Sequence, residues 1–179
     1  MYVGQDVERT VQGKDPDNSR QSQQRHKQNL ERSLSGLQGN CFWPAKSVVN
    51  NPKDYRTVLA EEYHNTPALQ PLSPGMPKQS PGKVRKVMIL STRRGPVLFW
   101  TAPKAKKELD KARRFVIYHF GPEEKINLED PGHIVTVTSE TFLELQPGIT
   151  KEGGYFVITA LNRLDCESAP VRYSISNHL

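Results

Sequence analysis

The sequence has only two cysteines and no apolar stretch long enough to cross a lipid bilayer. Cys41 and Cys166 lie in different halves of the 179-residue chain, so we expect two unpaired thiols and no disulfide framework. The first ten residues lack the basic start and the apolar core of a signal peptide. We therefore predict no membrane span. The protein is expected either to be cytoplasmic or to lack its original N-terminus.

Positive charge is not concentrated in one part of the sequence. The net charge is +6, and residues 1–83 and 84–179 each carry an excess of three cations. Nucleic-acid-binding proteins usually concentrate their cations, because affinity depends on neutralising phosphates. Glu108 and Asp110 interrupt the tightest basic cluster, so we predict a solvated loop of mixed charge there and no nucleic-acid partner. The cluster consists of Lys104, Lys106, Lys107, Lys111, Arg113 and Arg114.

Patterns typical of metal, phosphate and nucleophile sites are missing from the sequence. The five histidines show no metal-ligand spacing with one another or with the cysteines. Gly153 and Gly154 precede a strand pattern, which indicates a turn and not a loop that binds phosphate. The sequence therefore predicts no metal and no cofactor.

Two strand patterns occur in the first part of the chain, and each is followed by a helix pattern. The strands are predicted at residues 2–7 and 39–45, which read YVGQDV and GNCFWPA. The turn signals in residues 8–20 predict an irregular polar loop. Since parallel strands are normally buried on both faces, two such units cannot form a complete sheet by themselves.

The first helix is predicted from about Gln21 to Leu34, with Asn18 or Ser19 as its N-cap. It is mostly polar, and Leu30 and Leu34 are expected to form its short apolar contact line. A helix with so few apolar residues gains little from burial and depends on a larger body to pack against.

The second helix is predicted to begin at Asp54, which is a plausible N-cap. Its apolar residues recur at helical spacing and define one buried face. They are Tyr55, Val58, Leu59 and Tyr63.

A proline- and glycine-rich segment separates this region from a strand-rich one. Residues 70–83 contain four prolines and two glycines, which predicts an extended linker. Seven short strand patterns follow in residues 84–179, which favours an antiparallel β-sandwich. The predicted fold class is α+β by segment, with residues 1–69 as parallel β-α units.

The strand-rich region carries aromatic residues at Trp100, Tyr118 and Tyr155 within its strand patterns and ends in the stretch ALNRLDCESAPV. In these features it resembles a fibronectin type III domain. The stretch ALNRLDCESAPV (160–171) is similar to the end of the versions attached to bacterial carbohydrate-active enzymes. We expect a tryptophan and a tyrosine from facing sheets to fill the gap between the sheets. The core pattern is carried by Trp100, Tyr118, Leu143, Leu145 and Tyr155.

Residues 1–69 resemble the closing units of bacterial glycosyl-hydrolase-like proteins, which are distantly related to family 10 glycosidases. The resemblance is carried by YVGQDV, by GLQGNCFWPA and by the helix DYRTVLAEEYHNTPALQP. It implies the last two β-α units of a (β/α)8 barrel that is followed by a fibronectin-like sandwich. It also implies a carbohydrate partner for the complete parent protein, which is expected to be exported to the bacterial periplasm or cell surface.

Glycoside hydrolysis usually requires two carboxylates, which in barrels lie at the carboxyl ends of strands. Only Asp6 and Glu8 follow a strand in this way. Asp6 is therefore a catalytic candidate only in a complete barrel. The favoured interpretation is that Asp6 is a polar residue at the start of a loop. Of Phe42 and Trp43, one is expected to face the helices and the other the barrel interior. Trp43 could be a platform for a sugar or a packing residue, and Gln5 could bind a sugar hydroxyl or cap the strand.

Two functions from different classes follow from these patterns. The first is the C-terminal part of a glycoside hydrolase, catalytically silent alone, whose sandwich supports the barrel or positions it on polysaccharide. The second is a free-standing interaction module that binds a partner or self-associates through the exposed surface of its N-terminal part. An enzyme that is complete in this chain is disfavoured because a second carboxylate is missing.

Overall fold

The computed structural model describes residues 2–12, 23–37, 39–73, 75–146, 148–149 and 153–175. The chain divides into two compact units, Met1–Asn65 and Thr66–Leu179. The predicted N-caps Asn18 and Ser19 lie outside the described residues.

The N-terminal unit contains a two-stranded parallel sheet and short helices. Its strands are paired with Asp6 opposite Trp43, so the predicted parallel pairing is confirmed. No helix in the described ranges is both long and apolar enough to cross a bilayer. The elements are β1 (Tyr2–Asp6), α1 (Val7–Gln12), α2 (Gln23–Ser33), β2 (Gly39–Trp43), α3 (Ala45–Val49), a 3-10 turn (Pro52–Asp54), α4 (Tyr55–Val58) and a π-helical turn (Leu59–Tyr63).

The helix α1 begins where the sequence predicts an irregular loop, so that prediction is wrong for residues 8–12. The Oδ1 atom of Asp6 accepts a hydrogen bond from the backbone N–H of Arg9 at 3.1 Å. An acidic side chain in this position satisfies an otherwise unpaired N–H at a helix N-terminus. The buried Val7 then anchors the helix in the core.

The predicted cap of the second helix is also wrong. Asp54 has a left-handed backbone conformation with a φ of 58°, and its side chain makes no capping hydrogen bond. Instead, Asn51 Oδ1 accepts hydrogen bonds from the backbone N–H groups of Arg56 at 2.7 Å and Thr57 at 3.2 Å. The asparagine side chain therefore takes the role that we predicted for Asp54.

The contact line predicted for the first helix is wrong as well. Leu30 and Leu34 are 48% and 50% exposed, whereas Gln28 and Glu31 are buried. The helix α2 therefore buries a polar face, and this face contacts the polar residues described below.

In the described part of this unit, the helices cover one face of the parallel sheet. Phe42 lies on the covered face and packs edge-to-face against Tyr55, with their ring centroids 6.2 Å apart. The opposite face is exposed, with Tyr2 61% and Trp43 46% accessible. Alternation along β2 therefore separates Phe42 from Trp43, as predicted. The core on the helical side contains Val7, Tyr55, Leu59, Val11, Phe42 and Val48.

The C-terminal unit contains all seven predicted strands, arranged in two antiparallel sheets. One sheet has the order β3-β4-β7 and the other the order β6-β5-β8-β9. Side chains from both sheets share a core, which is compatible with a β-sandwich. The strands are β3 (Arg85–Thr92), β4 (Gly95–Thr101), β5 (Arg114–Phe120), β6 (Ile134–Thr138), β7 (Phe142–Glu144), β8 (Tyr155–Leu161) and β9 (Val171–Ser174).

The expectation that Trp100 and a tyrosine of the core pattern fill the gap between the sheets is wrong, because neither Tyr118 nor Tyr155 lies in the core with Trp100. Trp100 packs against Phe115, with their ring centroids 5.6 Å apart. Tyr118 belongs to a second buried cluster, together with Phe120 and Tyr155. Because side chains alternate along β5, Phe115 and Tyr118 lie on opposite faces of the four-stranded sheet. Both faces of this sheet are therefore buried.

The segment predicted as a linker, residues 70–83, has no helix or strand among its described residues and contacts the loop that follows β8. Asn162 Nδ2 donates a hydrogen bond to the backbone oxygen of Gln79 at 2.6 Å. Just before this segment, Leu69 packs against the second buried cluster. These contacts attach the start of the C-terminal unit to its sheets.

We predict that Phe156→Ala destabilises the C-terminal unit by about 3–5 kcal/mol, because it opens a cavity in the core between the sheets. Phe156 is fully buried there. The free energy of unfolding measured in urea tests this, with Ile126→Ala as the control, since Ile126 is 41% exposed. A loss below about 1 kcal/mol for Phe156→Ala would contradict the described core.

Candidate functional site

The carboxyl ends of β1 and β2 meet beside an open groove of about 670 Å³. The groove is lined by residues of α1, of α3 and its flanks, and of the following 3-10 turn. Its charged residues are Glu8, Lys46 and Lys53. Carboxyl ends of parallel strands are the usual location of ligands in α/β folds, so this edge is the candidate site of the N-terminal unit.

Trp43 lies at this edge on the exposed face of the sheet. A Cβ atom built on Gly4 would lie only 2.5 Å from Cζ3 of Trp43. Glycine at position 4 therefore lets the indole ring rest against β1. The ring is 46% exposed, so it has both a supported side and an accessible surface. An aromatic surface held in this way could stack on an apolar ligand surface.

Asp6 is the neighbour of Trp43 in the sheet register, but its carboxylate caps α1. The second acidic residue, Glu8, is exposed and accepts a hydrogen bond from Gln12 Nε2 at 2.8 Å. Both carboxylates of this edge therefore have local partners on α1.

Gln5 lies on the opposite face from Trp43, within a buried polar network. Its Nε2 atom donates to Glu31 Oε2 at 2.6 Å, and its Oε1 atom accepts from the Tyr55 hydroxyl at 3.2 Å. Beside it, Asn40 Nδ2 donates to Gln28 Oε1 at 3.2 Å. The structure thus brings Asp6 and Trp43 together and places Gln5 between the sheet and the helices.

Glu31 is the titratable residue that the sequence did not indicate. Burial raises the pKa of its carboxyl, although hydrogen bonds from Gln5 and Asn40 and the charge of Lys27 act in the opposite direction. Burial, together with the charge of Glu31, raises the pKa of Tyr55 to about 12. The signal that could have identified Glu31 is the repeated polar spacing of Gln28 and Glu31 on α2.

In the C-terminal unit, a groove of about 640 Å³ has an acidic rim formed by Glu129, Asp165 and Glu167. Glu167 Oε1 accepts hydrogen bonds from the Tyr118 hydroxyl at 2.7 Å and from Thr159 Oγ1 at 2.6 Å. Asp165 forms an ion pair with Arg114. Two of the three acids therefore have partners within the unit. No group of three or more potential metal ligands occurs in the part of the chain that the structure describes.

The basic cluster of residues 104–114 contains a local ion pair between Arg113 and Glu108. Arg113 donates a hydrogen bond to Glu108, and this contact lowers the pKa of the glutamate. The lysines Lys104, Lys106, Lys107 and Lys111 are exposed. The arrangement is that of a loop of mixed charge.

We predict that the Glu31→Gln variant loses less stability than the natural chain as pH rises from about 4 to about 8. Because the folded state raises the pKa of Glu31, its stabilising contribution is complete below the unfolded pKa and decreases as pH rises through the folded pKa. Thermal unfolding followed by the helical circular dichroism signal measures the N-terminal unit. The exposed Glu8→Gln variant is the control, and parallel pH profiles for Glu31→Gln and the natural chain would contradict the prediction.

Comparison with known proteins gives no family assignment. The chain matches no protein-family model, and no curated protein matches it significantly.

Proposed function

We propose that residues 1–69 are the last two β-α units of a glycoside-hydrolase-like (β/α)8 barrel, and that this chain hydrolyses no glycoside by itself. In this proposal, residues 84–179 form a fibronectin type III-like domain that supports the barrel or positions it on polysaccharide. The observation that carries the proposal is the uncovered face of the parallel sheet, with Trp43 at its carboxyl end.

The uncovered face is unusual for parallel strands, which are normally buried on both sides. In a (β/α)8 barrel, helices cover the outside of the sheet and side chains from several strands fill the inside. Phe42 and the helices of the N-terminal unit correspond to the outside, and Tyr2 and Trp43 correspond to the inside. Further strands would supply the missing neighbours.

The position of Trp43 supports a role in carbohydrate binding. Substrates of barrel enzymes lie at the carboxyl ends of the strands, where Trp43 has an accessible surface. The competing role is packing inside the complete barrel. Gln5 has its hydrogen-bonding atoms engaged by Glu31 and Tyr55, so we propose no sugar contact for it.

The contacts of the acids support a catalytically silent chain. A hydrolase of the usual type needs one carboxylic acid and one carboxylate on opposite sides of the scissile bond. Asp6 caps α1 and Glu8 accepts a hydrogen bond from Gln12, so each of these carboxylates has a structural partner on α1. We propose that the catalytic acids belong to other strands of the parent protein, which is exported to the bacterial periplasm or cell surface.

The C-terminal unit also supports the second candidate, a fibronectin-type protein-interaction module. Its two sheets have three and four strands. Residues of this unit alone form the core between the sheets and the second cluster, which lies on the outer face of the four-stranded sheet. A unit with its own core can be stable without the strands missing from the N-terminal unit.

We predict that soluble oligosaccharides change the fluorescence of Trp43 in a saturable way. The Trp100→Phe variant of the full chain leaves Trp43 as its single tryptophan. Xylo-, cello- and chito-oligosaccharides are titrated separately, and a Trp43→Ala variant measured by calorimetry is expected to bind roughly tenfold more weakly, a change of about 1.4 kcal/mol.

The Trp43→Phe variant, which retains the buried Trp100, is the control and is expected to show no fluorescence change. Absence of a response from Trp43 to all three sugar classes would contradict its role as a sugar platform in this chain.

A further inference from the structure

The outer face of the three-stranded sheet in the C-terminal unit is apolar and exposed. We call it the apolar sheet face. Met88, Leu90 and Phe142 are 41%, 50% and 42% accessible, respectively. Their neighbours Ile89 and Leu143 point the other way, into or against the core. The apolar sheet face consists of Met88, Leu90, Val97, Phe99 and Phe142, of which Phe99 is half-buried and Val97, on the central strand, is buried.

These five side chains form a continuous patch across all three strands. Met88, Phe99 and Phe142 are aligned in one cross-strand row, and Leu90 and Val97 are aligned in the next. The rings of Phe99 and Phe142 have centroids 6.1 Å apart. Large contiguous apolar patches on a protein surface mark interaction surfaces.

The composition of the patch favours a protein partner over a sugar. None of its five side chains carries a hydrogen-bonding N or O atom. A sugar site needs polar groups that bind hydroxyls and fix the orientation of the ligand. Burial against another apolar protein surface needs no such groups.

The two edges of the sheet carry opposite charges. The β3 edge and its turn present exposed cations, whereas the β7 edge presents exposed anions. Since β4 lies between these strands, the charges flank the apolar sheet face on opposite sides. The cations are Arg85, Lys86, Arg93 and Arg94, and the anions are Glu140 and Glu144.

We propose that the apolar sheet face is the interface of a homodimer, in which two copies pack face to face about a two-fold axis parallel to the strands. That rotation places β3 of one copy opposite β7 of its partner. The basic edge then faces the acidic edge twice, and the apolar residues bury one another. A second copy fits because one face supplies both the apolar surface and both signs of charge.

The test is sedimentation velocity of the full chain over a concentration series. We expect a concentration-dependent dimer, and the Leu90→Arg variant is expected to raise its dissociation constant at least tenfold. The matched control is Val135→Arg, which places the same charge at a 38% exposed valine of the other sheet and is expected to keep the dimer. Circular dichroism checks that each variant is folded.

A charge exchange provides a second test that loss of folding cannot imitate. The variant Glu144→Arg is expected to weaken the dimer, because Glu144 lies at the same end of the sheet as the β3-β4 turn, and adding Arg93→Glu and Arg94→Glu to it is expected to restore association. A chain that stays monomeric at all concentrations would overturn the proposal. So would a dimer that survives Leu90→Arg but dissociates on Trp43→Ser, because it would associate through the N-terminal unit.

Discussion

Parallel strands need to be buried on both faces, and the N-terminal unit depends on this constraint. Its helices cover the face that carries Phe42, where Val7, Tyr55 and Leu59 complete a small core. The other face leaves Trp43 and Tyr2 accessible. Burial of apolar surface is the main favourable term in folding, so a sheet with one covered face gives up about half of what its strands could contribute. In the proposed barrel, side chains from further strands would cover the exposed face of the sheet.

The sheets of the two units are buried in different ways. In the C-terminal unit the four-stranded sheet is buried on both faces, by the other sheet and by a second cluster that includes Leu69. In the N-terminal unit, part of the covered side is polar, since Gln5, Gln28 and Glu31 are buried there. Buried polar groups are tolerated when they are hydrogen-bonded, but burial still raises the pKa of Glu31. The four-stranded sheet of the C-terminal unit is thus buried on both faces by residues of its own unit.

The seven strands could be predicted because short apolar runs are separated by turn signals. The sheet face on which Tyr118 lies could not be predicted, because β5 is apolar on both sides and the alternation of side chains does not show which side faces the other sheet. The polar face of α2 was missed because its partners, Gln5 and Asn40, lie on strands distant in sequence. The predictions of helix starts were wrong where a local side-chain hydrogen bond sets the start of the helix. This is the case at Asp6 and at Asn51. The proximity of Asp6 and Trp43 could be predicted from the parallel pairing of the two strands alone. The burial of Glu31 could not be predicted from that pairing.

The most direct measurement of the uncovered sheet face is thiol labelling of the folded full chain. Cys41 is exposed and lies on the same side of β2 as Trp43, whereas Cys166 is buried in the C-terminal unit. We expect Cys41 to react with a maleimide at least about tenfold faster than Cys166, with each site quantified by peptide mass spectrometry. Protection of Cys41 equal to that of Cys166 would show that this chain covers the face itself, and would contradict the interpretation of the N-terminal unit as the end of a larger sheet.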